Sequence, residues 1–141
     1  LSRYVVDASV AIKWFVPEVH AEAAARLLEG DNQLLAPDLL FPEFGNILWK
    51  KARLGEIRVS EAREILRALE AVPLQVHTTQ PLIESAFEIA YGLERSVYDS
   101  VYLSLAVINE CRMITADKKF YNVLKNSSLA EHIEWVEASA A

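Results

Sequence analysis

Short apolar runs alternate with longer stretches whose apolar residues recur every three or four positions. RYVVDAS, QLLAPD (33–38), LQVHTT (74–79), RMITAD (112–117) and HIEWVE (132–137) have strand length and read as β-strands. Between them lie helical signals. A short helical turn is predicted over Ala11 to Phe15, punctuated by Pro17, and a helix over Glu18 to Leu28 closed by Gly30. Residues 39–54 carry Leu40, Phe44, Ile47 and Leu48 on one side and end at Gly55. Ser60 opens a further helix with Ala62, Ile65, Leu66 and Leu69 at one-face spacing, so residues 39–72 predict a helical hairpin. Pro81 suits the first turn of a helix reaching Tyr91, and residues 98–110 and 118–125 complete the set. Strands alternating with helices predict an α/β fold, a parallel sheet covered on both faces, with ligands gathered beyond the carboxyl ends of the strands.

Composition narrows the class. With 141 residues, a 52% hydrophobic content and only four glycines and five prolines, the chain reads as one continuous domain over residues 1–141 with a real core. The longest apolar stretches, such as VYLSLAVI, fall far short of the roughly 18 residues a membrane span needs. No basic-then-apolar leader opens the sequence, and Cys111 has no partner for an internal disulfide, so a reducing, cytoplasmic location is expected. The net charge of −6 is unusual for a protein that holds nucleic acid by charge alone. Basic residues are nevertheless clustered, at Lys50, Lys51, Arg53 and Arg58 and at Lys118, Lys119 and Lys125. These suit either solvated helix ends or substrate steering.

Four acids stand out from this frame. Asp7 and Asp117 close apolar runs read as strands, whereas Glu43 and Asp99 interrupt helical apolar faces. Singly, the aspartates have ordinary explanations: Asp7 and Asp117 as helix caps worth about 1 kcal/mol, Asp99 as a favourable charge near a helix start. Glu43 shares its face with Leu39, Leu40 and Ile47 and should point inward. Jointly they ask for a counter-ion, because two carboxylates about 4 Å apart repel by roughly 4 kcal/mol at an effective dielectric near 20. Mg²⁺ or Mn²⁺ suits an all-oxygen site, and it promotes ionisation of water and offsets charge on phosphate oxygens. Ser9 and Thr115, each two residues from an aspartate, suit either the orientation of a ligand group or ordinary cap hydrogen bonding. Asn46, three positions from Glu43, is spaced to support it.

Other chemistries lack their residues. His20, His77 and His132 do not have zinc-helix spacing, and no phosphate-binding glycine loop or Gly-x-Ser-x-Gly elbow occurs. Trp14, Phe15, Trp49 and Trp135 read as core or interface residues.

VVDASVAIKWFVPE, PEFGNILWKKARLGEI, SVYDSVYLSLA and MITADKKF, in that order, resemble the motifs of the PIN-domain nucleases, and among them the VapC-type toxins of type II toxin–antitoxin pairs. The resemblance spans nearly the whole chain. It implies a three-layer α/β/α sandwich around a parallel sheet of about five strands and a homodimer. It also implies Mg²⁺- or Mn²⁺-dependent endoribonuclease activity with Asp7, Glu43, Asp99 and Asp117 as acidic ligands. It further implies a VapB-type antitoxin whose tail occupies the groove beside those acids, near the hairpin of residues 39–72. Lys118 and Lys119 follow Asp117 where some relatives carry a further acid, which weighs against a second tightly held metal. The residues alone leave open a housekeeping nuclease acting on RNA or DNA, and a catalytically silent RNA- or partner-binding module.

Overall fold

The computed structural model describes residues 2–138. Its five strands are β1 (Arg3–Val6), β2 (Gln33–Pro37), β3 (Leu74–His77), β4 (Arg112–Thr115) and β5 (Ile133–Trp135). All pair in parallel in the order β3-β2-β1-β4-β5. Seven α-helices connect them: α1 (Ala8–Ala11), α2 (Ala21–Arg26), α3 (Leu40–Arg53), α4 (Val59–Glu70), α5 (Ile83–Leu93), α6 (Val97–Ile108) and α7 (Lys118–Lys125). Val5 and Val6 point to opposite faces of the sheet, yet both are 0% exposed, so helices cover both faces at its centre. Burying each contributes about 1.5–3 kcal/mol. The expected three-layer α/β/α arrangement is therefore the one found.

Helix α6 is the principal packing element. Every residue from Ser100 to Ala106 is buried, and the helix lies against α5 and across β1, β2 and β4. A helix apolar nearly all round is what such a sandwiched position requires. Ser96 caps it, accepting the Asp99 N–H at 3.1 Å. Asp99 thereby comes to the first turn of α6, at the sheet edge where β1 and β4 end.

Three helix starts differ from the sequence expectation in ways that bear on the site or its frame. The turn expected over Ala11 to Phe15 begins earlier, as α1 followed by a 3₁₀ turn at Ile12–Trp14, because the Asp7 side chain caps it. The helix expected from Glu18 starts at Ala21, since His20 adopts a left-handed φ of 68° that helical residues do not take. The helix expected around Pro81 opens as a 3₁₀ turn over Gln80–Leu82 before α5.

From β1 the chain builds β2 and β3 on one side, then returns through α5 and α6 to place β4 on the other. The order therefore reverses at the β1–β4 junction, the crevice where open parallel sheets bind ligands. No helix among the described residues is long and apolar enough to cross a membrane.

Candidate functional site

Asp7 follows β1 directly and caps α1. Its Oδ1 accepts the Val10 N–H at 2.9 Å and the Ser9 hydroxyl at 2.8 Å. Glu43 stands in the first turn of α3, and its Oε1 accepts the Tyr102 hydroxyl of α6 at 2.5 Å. Asp99 completes the group from the first turn of α6. These three carboxylates line one pocket of about 220 Å³ together with Ser9, Asn46 and Tyr102. Residues 7, 43 and 99 thus converge because β1, α3 and α6 all end or begin at the same crevice.

Asp117 is placed differently. It follows β4 and caps α7, with Oδ1 accepting the Phe120 N–H at 3.1 Å. Its Oδ2 meets Arg95 Nη2 at 3.3 Å, and the same nitrogen lies 3.4 Å from Asp99 Oδ2. Asp117 thus sits beside the pocket, across a guanidinium from Asp99, and does not line it. Thr115, 1% exposed, fixes this turn by accepting the Asp117 N–H on its hydroxyl at 3.1 Å. Asn46 lines the pocket itself and makes no hydrogen bond to Glu43. Glu43 is held by Tyr102 instead.

The electrostatics reflect burial first and neighbouring charge second. Burial pushes Asp7 up from 3.8 to about 6, against the opposing Val10 and Ser9 hydrogen bonds and with the charges of Asp99 and Glu43 adding to it. Burial also raises Glu43, opposed by the Tyr102 hydroxyl and reinforced by Asp99. Tyr102 is in turn pushed far above the ordinary phenol range by burial and by its carboxylate acceptor, so its hydroxyl remains a donor.

Each pocket carboxylate keeps one oxygen that takes no hydrogen bond within the described chain: Oδ2 of Asp7, Oε2 of Glu43 and Oδ1 of Asp99. Both oxygens of Asp117 are engaged. Among the described residues no group of three or more His, Cys, Asp or Glu side chains is arranged to hold a metal ion by itself, so an ion here would rely on few carboxylates and on water. An open set of hard oxygen donors at a site that disfavours its own negative charge fits Mg²⁺ or Mn²⁺, which bind through few carboxylates and retain water.

Arg95 and Tyr102 are the functional candidates that the acid pattern did not single out. Arg95 is only 24% exposed, its guanidinium lies 4.8 Å over the Phe120 ring, and its Nε is buried without a hydrogen bond. Its sole sequence signal is the four-residue spacing to Asp99. For Tyr102 the signal is its place in Tyr-Asp-x-x-Tyr, with both the aspartate and the second tyrosine facing the pocket.

Comparison with known proteins points the same way. The family model described as PIN domain matches residues 4–126. The ribonuclease VapC3 of Pyrobaculum aerophilum is 34% identical over 119 residues, spanning 83% of this chain and 91% of the relative. Among solved structures, PAE2754 from Pyrobaculum aerophilum superposes with a TM-score of 0.74 at 23% identity, covering 99% of this chain and 93% of that one. VapBC2 from Rickettsia felis, solved bound to a DNA fragment from their promoter, gives a TM-score of 0.64 at 12% identity, over 94% and 98% of the two chains. At these identities the two structures speak for the fold.

Proposed function

The chain belongs to the PIN-domain family, and from that premise we propose that it is a divalent-metal-dependent endoribonuclease serving as the toxin of a toxin–antitoxin pair. The observation carrying this reading is the three-acid pocket at the β1–β4 crevice, with one free oxygen on each of Asp7, Glu43 and Asp99. The relative whose name states a ribonuclease activity covers most of the chain and supports RNA as the substrate.

Asp7, Asp99 and Glu43 would hold Mg²⁺ or Mn²⁺, with Asp117 completing the acidic group from the rim. When bound, the cation eases ionisation of water and offsets charge on the scissile phosphate. The chain's own residues set the geometry. Ser9 and the Val10 N–H fix Asp7, Tyr102 fixes Glu43, and Ser96 fixes the turn that carries Asp99. A carboxylate of the group takes the proton of the attacking water, the new oxygen–phosphorus bond forms in line with the breaking bond to the 3′-oxygen, and that oxygen takes a proton from solvent, leaving a 5′-phosphate and a 3′-hydroxyl. Tyr102→Phe removes the hydroxyl while preserving the buried ring. Cleavage is expected to slow by about five- to tenfold, on the order of 1 kcal/mol, in single-turnover assays on RNA.

The antitoxin reading has its own support. Along the α3–α4 hairpin runs a largely apolar groove of about 410 Å³, with Trp49 56% and Leu66 43% exposed and Arg53 and Arg63 among its lining residues. A small VapB-type partner laying an apolar segment there would cover these side chains and bring its tail to the neighbouring pocket. A homodimer is part of the same proposal. Ile83, Phe87 and Tyr91, exposed at four-residue intervals on α5, support contact with a second copy.

The test is to sequence RNA ends after induced expression. Wild type is expected to generate new 5′-phosphate ends at defined positions and to arrest growth, and Asp99→Asn to do neither. Arrest that persists in Asp99→Asn without new ends would replace the nuclease by a sequestering module.

A further inference from the structure

Arg95 lies between two of the four acids, Asp99 and Asp117. It leaves α5 through Glu94, whose left-handed φ of 55° turns the chain, and the Arg95 N–H closes on the Ala90 carbonyl at 3.2 Å. From that fixed point one guanidinium nitrogen bridges Asp99 Oδ2 and Asp117 Oδ2, and the Phe120 ring supports the group from below. A mobile surface arginine would not be three-quarters covered, nor would it keep a buried Nε without a hydrogen bond. Its planar charge compensates these two oxygens as a divalent ion would compensate the pocket acids Asp7, Glu43 and Asp99. Asp117 has no oxygen left over, since Phe120 occupies the other one. Four carboxylates and one guanidinium also leave a charge deficit that a single divalent ion largely meets, and Lys118 follows Asp117 with a further positive charge.

We propose that Arg95 is a positioning residue that fills the second cation position, so that the pocket takes one divalent ion and Asp117 acts through Arg95 and not as a ligand. This rests on the reading that the pocket of Asp7, Glu43 and Asp99 holds a divalent ion. The arginine would keep Asp99 Oδ2 turned outward, leaving Oδ1 for the ion, and would spare the site the repulsion between Asp99 and Asp117.

The experiment measures Mn²⁺ uptake by the metal-free protein, through calorimetry and the electron paramagnetic resonance signal of free Mn²⁺. Wild type is expected to bind about one Mn²⁺ per chain, Arg95→Lys about one, and Arg95→Met about two, since only the last exposes an uncompensated carboxylate pair. Asp117→Asn, which retains a capping oxygen for α7, is expected to bind Mn²⁺ within about twofold of wild type, whereas Asp99→Asn weakens binding by more than about tenfold. A single ion in Arg95→Met would overturn the proposal, as would two ions in wild type or a loss in Asp117→Asn as large as in Asp99→Asn. The Asp117→Asn comparison decides alone if Arg95→Met does not fold. Wild type that binds no Mn²⁺ removes the metal reading of the pocket itself, an outcome distinct from a failure of the role given to Arg95.

Discussion

Asp99→Asn and Asp7→Asn are each expected to lower RNA cleavage by at least about a thousandfold, roughly 4 kcal/mol of transition-state stabilisation, while leaving the fold intact. The substitution changes one oxygen to an amide and keeps the volume, so packing around α1 and α6 is preserved. Asn still accepts the Val10 N–H at position 7 and still caps α1. What it removes is a negative charge that the proposed divalent ion would need. Circular dichroism and thermal unfolding check the fold, and cleavage of labelled RNA with saturating Mg²⁺ checks the activity. Cleavage within tenfold of wild type in either variant, with metal present, would refute the assignment of that residue.

The same Asp7→Asn substitution is expected to stabilise the metal-free protein near neutral pH. Burial lifts the Asp7 carboxyl from 3.8 to about 6, so the folded chain binds this proton more tightly than the unfolded chain does. The sign follows from linkage. The contribution of Asp7 is fully favourable below about pH 4, where both states are protonated, and it is lost as pH rises through about 6. At pH 7.5 in chelator, wild type therefore bears a cost of about 1–3 kcal/mol that asparagine does not. Urea unfolding across pH should find Asp7→Asn more stable than wild type at pH 7.5, with the gap closing near pH 4. Adding Mg²⁺ should close the gap from the other side, by stabilising wild type alone. A variant less stable than wild type at pH 7.5, or a gap independent of pH, would contradict the electrostatic picture. The expected pair of effects, activity lost and stability gained, is the signature of a residue held in place for chemistry.

Much of this was readable from the residues because two periodicities carry most of the fold. The apolar runs ending at Asp7 and Asp117 mark strand ends, and the three- and four-residue spacing around Glu43 marks an inward-facing helical position. The α/β order then sends those ends to one edge of the sheet. The strand at RMITAD and the helix after it needed nothing more. What the pattern could not carry was side-chain direction across long sequence gaps. Tyr102 meets Glu43 across 59 residues, through the relative rotation of α3 and α6. Arg95 meets Asp117 only because β4 ends beside the start of α6, 22 residues on. Asp117 has the same strand-end, helix-capping context as Asp7, yet its second oxygen is taken by that arginine, so equivalent local sequence leads to inequivalent places in the site. His20 likewise shortens α2 through a backbone conformation that its neighbours in sequence do not announce. It is held by a 2.6 Å contact to Glu137, which is 117 residues away.

The proposed nuclease chemistry requires a divalent ion seated among Asp7, Glu43 and Asp99. Crystals of the full chain soaked in Mn²⁺ and recorded at the manganese absorption edge would locate it directly. An anomalous peak bounded by those three carboxylates, and absent in Asp7→Asn, is the predicted result. Manganese elsewhere on the surface, with this pocket empty at saturating concentration, would contradict it.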